Sequence, residues 1–128
     1  MKTDDVIVKK SKIHQRGAFA SRAFKKGEII LHWDTSKTLI KSEVEKLSNE
    51  EKLHVYFMNN SYIITQKPEC FANHSCDANT YSKDFCEIAL RDISKGEEIT
   101  ADYSNDIPPN TKMNCNCGSD KCKKIIQR

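Results

Sequence analysis

No stretch of this 128-residue chain approaches the ~18–20 consecutive apolar residues that cross a bilayer, and the start, Met1-Lys2-Thr3-Asp4-Asp5, has none of the apolar character of a secretory leader. These absences predict a soluble, intracellular protein (cytoplasmic, nuclear or nucleoid, or exported to a host cell) with no membrane partner. Heptads, internal repeats and low-complexity tracts are also missing, which excludes a coiled coil or a repeat array. A large excess of one charge sign is also missing. The net +3 comes entirely from residues 105–128, with five basic and two acidic side chains, while residues 1–104 balance to zero. That is far from the basic stripe of a nucleic-acid-binding surface, so direct nucleic-acid binding is not expected.

What is present fits one domain, because domains most often run to roughly 100–150 residues. Hydrophobic residues make up 38% of the chain, enough for one core. A chain this short gains from an extra staple, and six cysteines can supply one. In a reducing compartment such cysteines act as metal ligands, catalytic groups or buried thiols more often than as disulfides.

Val6-Ile7-Val8, Ala18-Phe19-Ala20 and the run from Glu28 to Trp33, which opens after Gly27, read as short strands. Ser42 with Glu45 and Ser48 with Glu51 each fit a Ser-x-x-Glu capping box, which predicts one or two short helices between about 42 and 58. Tyr62 to Thr65, Phe85 to Leu90 and Glu98 to Tyr103 read as further strands, with a turn at Lys95-Gly96. Residues 4–104 are expected to form the mostly β body. Residues 105–128 make a polar linker with Pro108-Pro109, then a cysteine module.

Cys115, Cys117 and Cys122 place three thiols within eight residues. A structural zinc site takes four ligands in a tetrahedron, so the fourth must come from Cys70, Cys76, Cys86 or a histidine of the body, and the metal would clip the tail onto it. Free surface thiols are the alternative. Cys70 and Cys86 have no motif around them and default to buried small hydrophobes, and Trp33 to packing. Tyr56, Tyr62 and Tyr81 are candidates for an aromatic wall that holds an ammonium by cation–π attraction, with Tyr62 favoured because it lies on a predicted strand.

The segment Phe71-Ala72-Asn73-His74-Ser75-Cys76-Asp77-Ala78-Asn79 would pass alone for a structural turn. It is followed by Gly96-Glu97-Glu98-Ile99-Thr100-Ala101-Asp102-Tyr103 and then by the cysteine tail, and preceded by Ser11-Lys12-Ile13-His14-Gln15-Arg16-Gly17-Ala18-Phe19-Ala20. In this order the parts resemble the SET-domain protein lysine methyltransferases over residues 6–122.

The resemblance implies several short twisted sheets around a knotted crossing of two late segments, a short helical insert and a zinc-binding post-SET tail. It implies methyl transfer from S-adenosylmethionine to a lysine amine, with Tyr103 catalytic. For the cofactor it implies contacts from His14, Gln15, Arg16, Gly17, Ala18, Phe19, Asn73, His74, Tyr103 and Asn116. Zinc would then be held by Cys76, Cys115, Cys117 and Cys122. Ala101 stands where members often carry the Phe or Tyr that limits how many methyls fit, so a roomier channel is expected. The tail departs from the family pattern at Asn116, where an apolar residue is frequent, and at Lys123-Lys124, which follow Cys122 in place of Arg-Gly; in the body Gln15 replaces the first glycine of Gly-x-Gly, and Ala78 replaces a proline. The two departures in the body leave open a binding module that holds the cofactor or a lysine peptide without turnover. The implied partner is a protein bearing a target lysine, of histone-like basic character; a second copy in a homodimer is the other partner to be tested.

Overall fold

A computed structural model describes residues 5–13, 15–109, 111–115 and 119–127. In chain order the elements are β1 (Val6–Lys10), β2 (Arg16–Ala20), β3 (Ile29–His32), β4 (Thr38–Leu39), α1 (Lys41–Glu45), α2 (Asn49–Lys52), β5 (Val55–Met58), β6 (Ser61–Ile64), β7 (Asn73–His74), β8 (Thr80–Lys83), β9 (Cys86–Ala89), β10 (Glu98–Ala101), β11 (Lys112–Asn114) and β12 (Ile125–Gln127). Single 3-10 turns lie at Glu69–Phe71 and Tyr103–Asn105. The strands form four small sheets, ordered β1-β2-β10-β7, β3-β9-β8, β4-β6-β5 and β11-β12. Among the described residues no helix is long and apolar enough to cross a membrane.

Two Lys-Gly-Glu turns are built alike and frame the body. In the first, Lys25 N donates to Glu28 Oε1 at 2.8 Å; in the second, Ser94 N donates to Glu97 Oε1 at 3.0 Å. Gly27 and Gly96 each adopt φ +88°, a left-handed value that other residues seldom reach. Just before these turns Phe24 and Ile93 bond each other's backbones, and both side chains are buried. The two turns thus launch β3 and β10 from one side of a core that also holds Val6, Ala18, Ile30, Trp33 and Ile99.

β10 carries the site. Its Glu98 and Ile99 pair with β2, and its Thr100 and Ala101 run parallel to Asn73 and His74 of β7, so the two late motifs of the sequence lie side by side. Asn79 holds them there: its amide donates to the Glu98 carbonyl at 2.8 Å and its carbonyl accepts from Thr100 N at 2.9 Å. Because Asn79 is buried, losing these bonds would leave strand groups unpaired, at about 1–3 kcal/mol each.

The helical insert is shorter than the sequence predicts. Ser48 and Glu51 form a reciprocal capping box, Ser48 N to Glu51 Oε1 at 3.0 Å and Glu51 N to Ser48 Oγ at 3.1 Å. The Ser42–Glu45 box does not form, since α1 starts earlier and Glu43 Oε1 accepts from Ile40 N at 3.0 Å instead. Nor does helix reach 58. Val55 to Met58 is rich in β-branched and aromatic residues, and pairing with β6 buries Val55 and Tyr56, so the tertiary partner wins over helical continuation. A second, smaller core joins the tail to the body: Ile107, Cys115 and Ile126 pack against Leu53, Cys76, Tyr103 and Cys122.

Candidate functional site

Tyr103 opens the 3-10 turn immediately after β10, capped by the Asp102 side chain, which accepts from Ser104 N at 3.0 Å. Two further bonds fix its position. Its main-chain N–H donates to His74 Nδ1 at 2.9 Å, and its hydroxyl donates to the Ala72 carbonyl at 2.7 Å. Burial pushes the phenol above its ordinary range, aided by the carboxylates around it. It stays protonated at physiological pH and acts as a neutral donor whose remaining lone pairs are free to accept.

His74 is buried, and burial lowers its pKa below the ordinary value although Asp102 opposes the shift. With Nδ1 accepting from Tyr103 N, the neutral ring carries its hydrogen on Nε2, which faces Cys76 Sγ at 3.3 Å. The ring therefore serves as a packed donor to a sulfur, in edge contact with the Tyr103 ring at 5.3 Å between centroids.

The ligand atoms of His74, Cys76 and Cys115 lie within 4.8 Å of one another. Cys76 and Cys115 sulfurs are 3.9 Å apart, and Cys115 and Cys122 sulfurs 3.7 Å apart. Thiolates arranged tetrahedrally around zinc at about 2.3 Å stand about 3.8 Å from each other, so these spacings fit that metal. Cys117 lies outside the described residues. Cys86, by contrast, is buried beside His32 Nδ1 at 3.2 Å, while Cys70 is only half-buried.

The start of β2, at Arg16 and Gly17, meets Asn73 in a second cluster. Asn73 Nδ2 donates to the Arg16 carbonyl at 3.0 Å and to Glu98 Oε2 at 2.9 Å, and Ser11 Oγ also donates to that carboxylate, at 2.8 Å. Pinned in this way, the Glu98 carboxylate leaves no room for a side chain at position 17, where a Cβ would stand 2.9 Å from Glu98 Cδ. Gln15 adopts φ 25°, a positive value, at the position where the family pattern has glycine. Ala18 is fully buried and Phe19 half-buried, while His14 and Asn116 lie outside the described residues.

The tyrosines named as a channel wall separate in the structure. Tyr56 is fully buried on β5 against Trp33, with ring centroids 4.6 Å apart, and Tyr81 on β8 is 41% exposed. Tyr62 on β6 packs on Phe57 and lines a cleft of about 240 Å³ together with Val44, Lys41, Lys52, Pro108 and Pro109. Ala101 is buried on β10, two residues before Tyr103.

Sequence reasoning did not single out Ser11 or Glu98 as site residues, nor the buried pair Glu87 and Asp106. The available signal for Glu87 was a lone carboxylate in the apolar run Cys86-Glu87-Ile88-Ala89-Leu90.

Comparison with known proteins now decides the family. The SET domain family matches residues 15–104. The chain belongs to the SET domain family. Among similar proteins are human histone-lysine N-methyltransferase 2D, 31% identical over 140 residues and 94% of this chain, and human histone-lysine N-methyltransferase 2B, 29% identical over 138 residues and 94% of this chain. A histone-lysine N-methyltransferase, H3 lysine-36 specific, from Debaryomyces hansenii is 34% identical over 112 residues, 77% of this chain. This SET chain spans only 2%, 5% and 15% of those three proteins' lengths, respectively.

Proposed function

We propose that this SET-domain chain is a protein-lysine N-methyltransferase that uses S-adenosylmethionine and acts on a histone-like basic protein. The observation that carries the reading is the placement of Tyr103: a buried, neutral phenol fixed by Ala72 and His74 at the junction of β7 and β10. S-adenosylmethionine, when bound, supplies an electrophilic methyl group. The start of β2 at Arg16–Gly17, Asn73 and the His74 backbone would hold it, since Asn73 ties the Arg16 carbonyl to Glu98 of β10.

The chain's own part is to bring in a lysine and make its amine nucleophilic. A free lysine has a pKa of about 10.4, and an apolar site closed to water disfavours the ammonium. No strong base is needed for that. With its proton committed to the Ala72 carbonyl, the Tyr103 oxygen keeps lone pairs that can accept from the amine and align it; alignment is worth several powers of ten in rate. Tyr62 and the cleft beside the helical insert would receive the aliphatic stem and neighbouring substrate residues.

Zinc, when bound, supplies a cross-link between tail and body. Cys76, Cys115 and Cys122 fit it by their sulfur spacings, and Cys117 would complete the set. Incubation with radiolabelled S-adenosylmethionine and core histones tests the reading. Label in lysine, located by mass spectrometry, is expected. Cofactor binding without transfer to any histone or lysine-peptide library would instead favour a binding module.

A further inference from the structure

Glu87 sits in the middle of β9 with its side chain turned into the body, 0% exposed. Its neighbour Cys86 and the facing His32 lie on the opposite side of the strand, as the alternation of a strand requires. Trp33 Nε1 is 3.1 Å from Glu87 Oε1, Thr80 Oγ1 is 2.9 Å from Oε2, and Ser82 Oγ is 3.3 Å from Oε1. Neither hydroxyl has Glu87 as its sole acceptor. Thr80 Oγ1 is also 2.7 Å from the Thr100 carbonyl, and Ser82 Oγ is 2.9 Å from Asp106 Oδ2.

Counting hydrogens decides how these contacts are made. Thr80 has one hydroxyl hydrogen and two acceptors, and so does Ser82. If Glu87 is ionised, Thr80 must choose between a carboxylate and the Thr100 carbonyl, so only one of these two buried oxygens receives its hydrogen. If Glu87 carries a proton on Oε2, that proton bonds to Thr80 Oγ1, Thr80 donates to Thr100, Ser82 donates to Asp106 and Trp33 donates to Oε1. One added proton resolves the competition at Thr80, while Trp33 supplies Oε1 in either state and leaves Ser82 to donate to Asp106.

The titratable groups facing this cluster point the same way. Asp106 lies across Ser82, Tyr56 and Tyr103 are near enough for the Glu87 charge to raise their pKa values, and Glu69 borders Tyr56. Burial, and then the Asp106 charge, push Glu87 up to about 7 against the opposing bonds from Thr80, Trp33 and Ser82.

We propose that Glu87 is a positioning residue that holds a proton in the folded protein and, through Thr80, sets the hydrogen bond that fixes the Thr100 carbonyl of β10, the strand that leads to Tyr103. Loss of that proton draws Thr80 towards the carboxylate and loosens β10 one residue before Ala101. The link to catalysis rests on the proposed methyl transfer, but the proton itself does not.

The test has two arms. Because the folded carboxyl has a raised pKa, the folded state binds more protons than the unfolded one, so stability falls as pH rises from 4.5 to about 7. Glu69, also raised by burial, adds slope of the same sign, so the readout is the difference between wild type and Glu87→Gln, whose amide reproduces the donor. Wild type should lose more thermal stability than Glu87→Gln between about pH 5 and pH 8. Identical pH slopes overturn the proposal. Should Glu87→Gln fail to fold, infrared spectra of a Glu69→Gln protein with isotope-labelled glutamate decide: a buried protonated carboxyl band that fades as pH rises through about 7 supports it, and its absence at about pH 6 overturns it.

In the second arm, the ratio of wild-type to Glu87→Gln turnover should fall by about threefold or more between about pH 6 and pH 8.5. A constant ratio overturns the positioning role. Absence of turnover in both proteins would overturn the methyltransferase reading and with it that role, while the first arm still decides the proton.

Discussion

The main-chain N–H of Tyr103 donates to His74 Nδ1 at 2.9 Å, and through the other nitrogen of that ring the turn bearing the tyrosine is joined to the sulfur of Cys76 at 3.3 Å. One imidazole thus connects the proposed catalytic residue to the proposed metal site. The tail's small core leans on the same tyrosine, so the parts that look separate in the sequence share a wall. An event that frees Cys76 is therefore expected to reach Tyr103 through one ring.

Cys76→Ser should lower zinc content from about one ion per chain to well below one, because binding free energy in such a site doubles as folding free energy. The tail beyond Ile107 should become sensitive to protease. Metal analysis of the purified proteins checks this, and an unchanged metal-to-protein ratio would contradict it.

Gly17→Ala places a methyl group against a carboxylate that Ser11 and Asn73 hold in place, so it should displace the start of β2 and weaken S-adenosylmethionine binding at least tenfold by calorimetry. Asn73→Ala should cost about 1–3 kcal/mol in the same measurement, since it removes the tie between the start of β2 and Glu98 of β10. Equal affinities would show that the start of β2 does not carry the cofactor. Gln15→Gly is expected to behave in the opposite way, raising stability by up to about 1 kcal/mol because glycine adopts the positive φ without a Cβ penalty. Thermal melting reads that change, and a fall in stability would contradict it.

Ala101 bears on product number. The residue is small and buried, Tyr81 is largely exposed, and Tyr62 packs on Phe57. Mass spectra taken over time should show methylation passing beyond the first methyl, and Ala101→Tyr should stop it there. A clean halt at monomethyl-lysine in wild type, with excess cofactor, would mean that another ring fills the space.

Much of this arrangement was legible in the sequence, and the reasons differ by element. Gly27 and Gly96 suit turns because a positive φ favours glycine, and the turn expected at Lys95-Gly96 forms. The Ser48–Glu51 box is local chemistry and it forms. Val55 to Met58 was misread as helix because its partner, β6, lies beyond the turn at Asn59-Asn60, and pairing across that turn outweighs local preference. The closeness of Cys76 to Cys115 followed from the resemblance, not from spacing, since the spacing alone left Cys70 and Cys86 equally open. Glu87 was invisible for a deeper reason. A lone carboxylate in an apolar strand gives no hint of whether it faces water, and only the packed hydroxyls of Thr80 and Ser82 show what it does.

Tyr103→Phe tests the central claim most directly. The substitution removes one oxygen and its bond to Ala72, a modest stability loss of about 0.5–1.5 kcal/mol, and leaves the ring and the turn in place. With S-adenosylmethionine affinity measured alongside, methyl transfer to a histone lysine should fall by about 10²-fold or more while cofactor binding stays within about twofold. Turnover equal to wild type, with the variant folded and the cofactor bound, would contradict the assignment of Tyr103 as the residue that aligns the reacting amine.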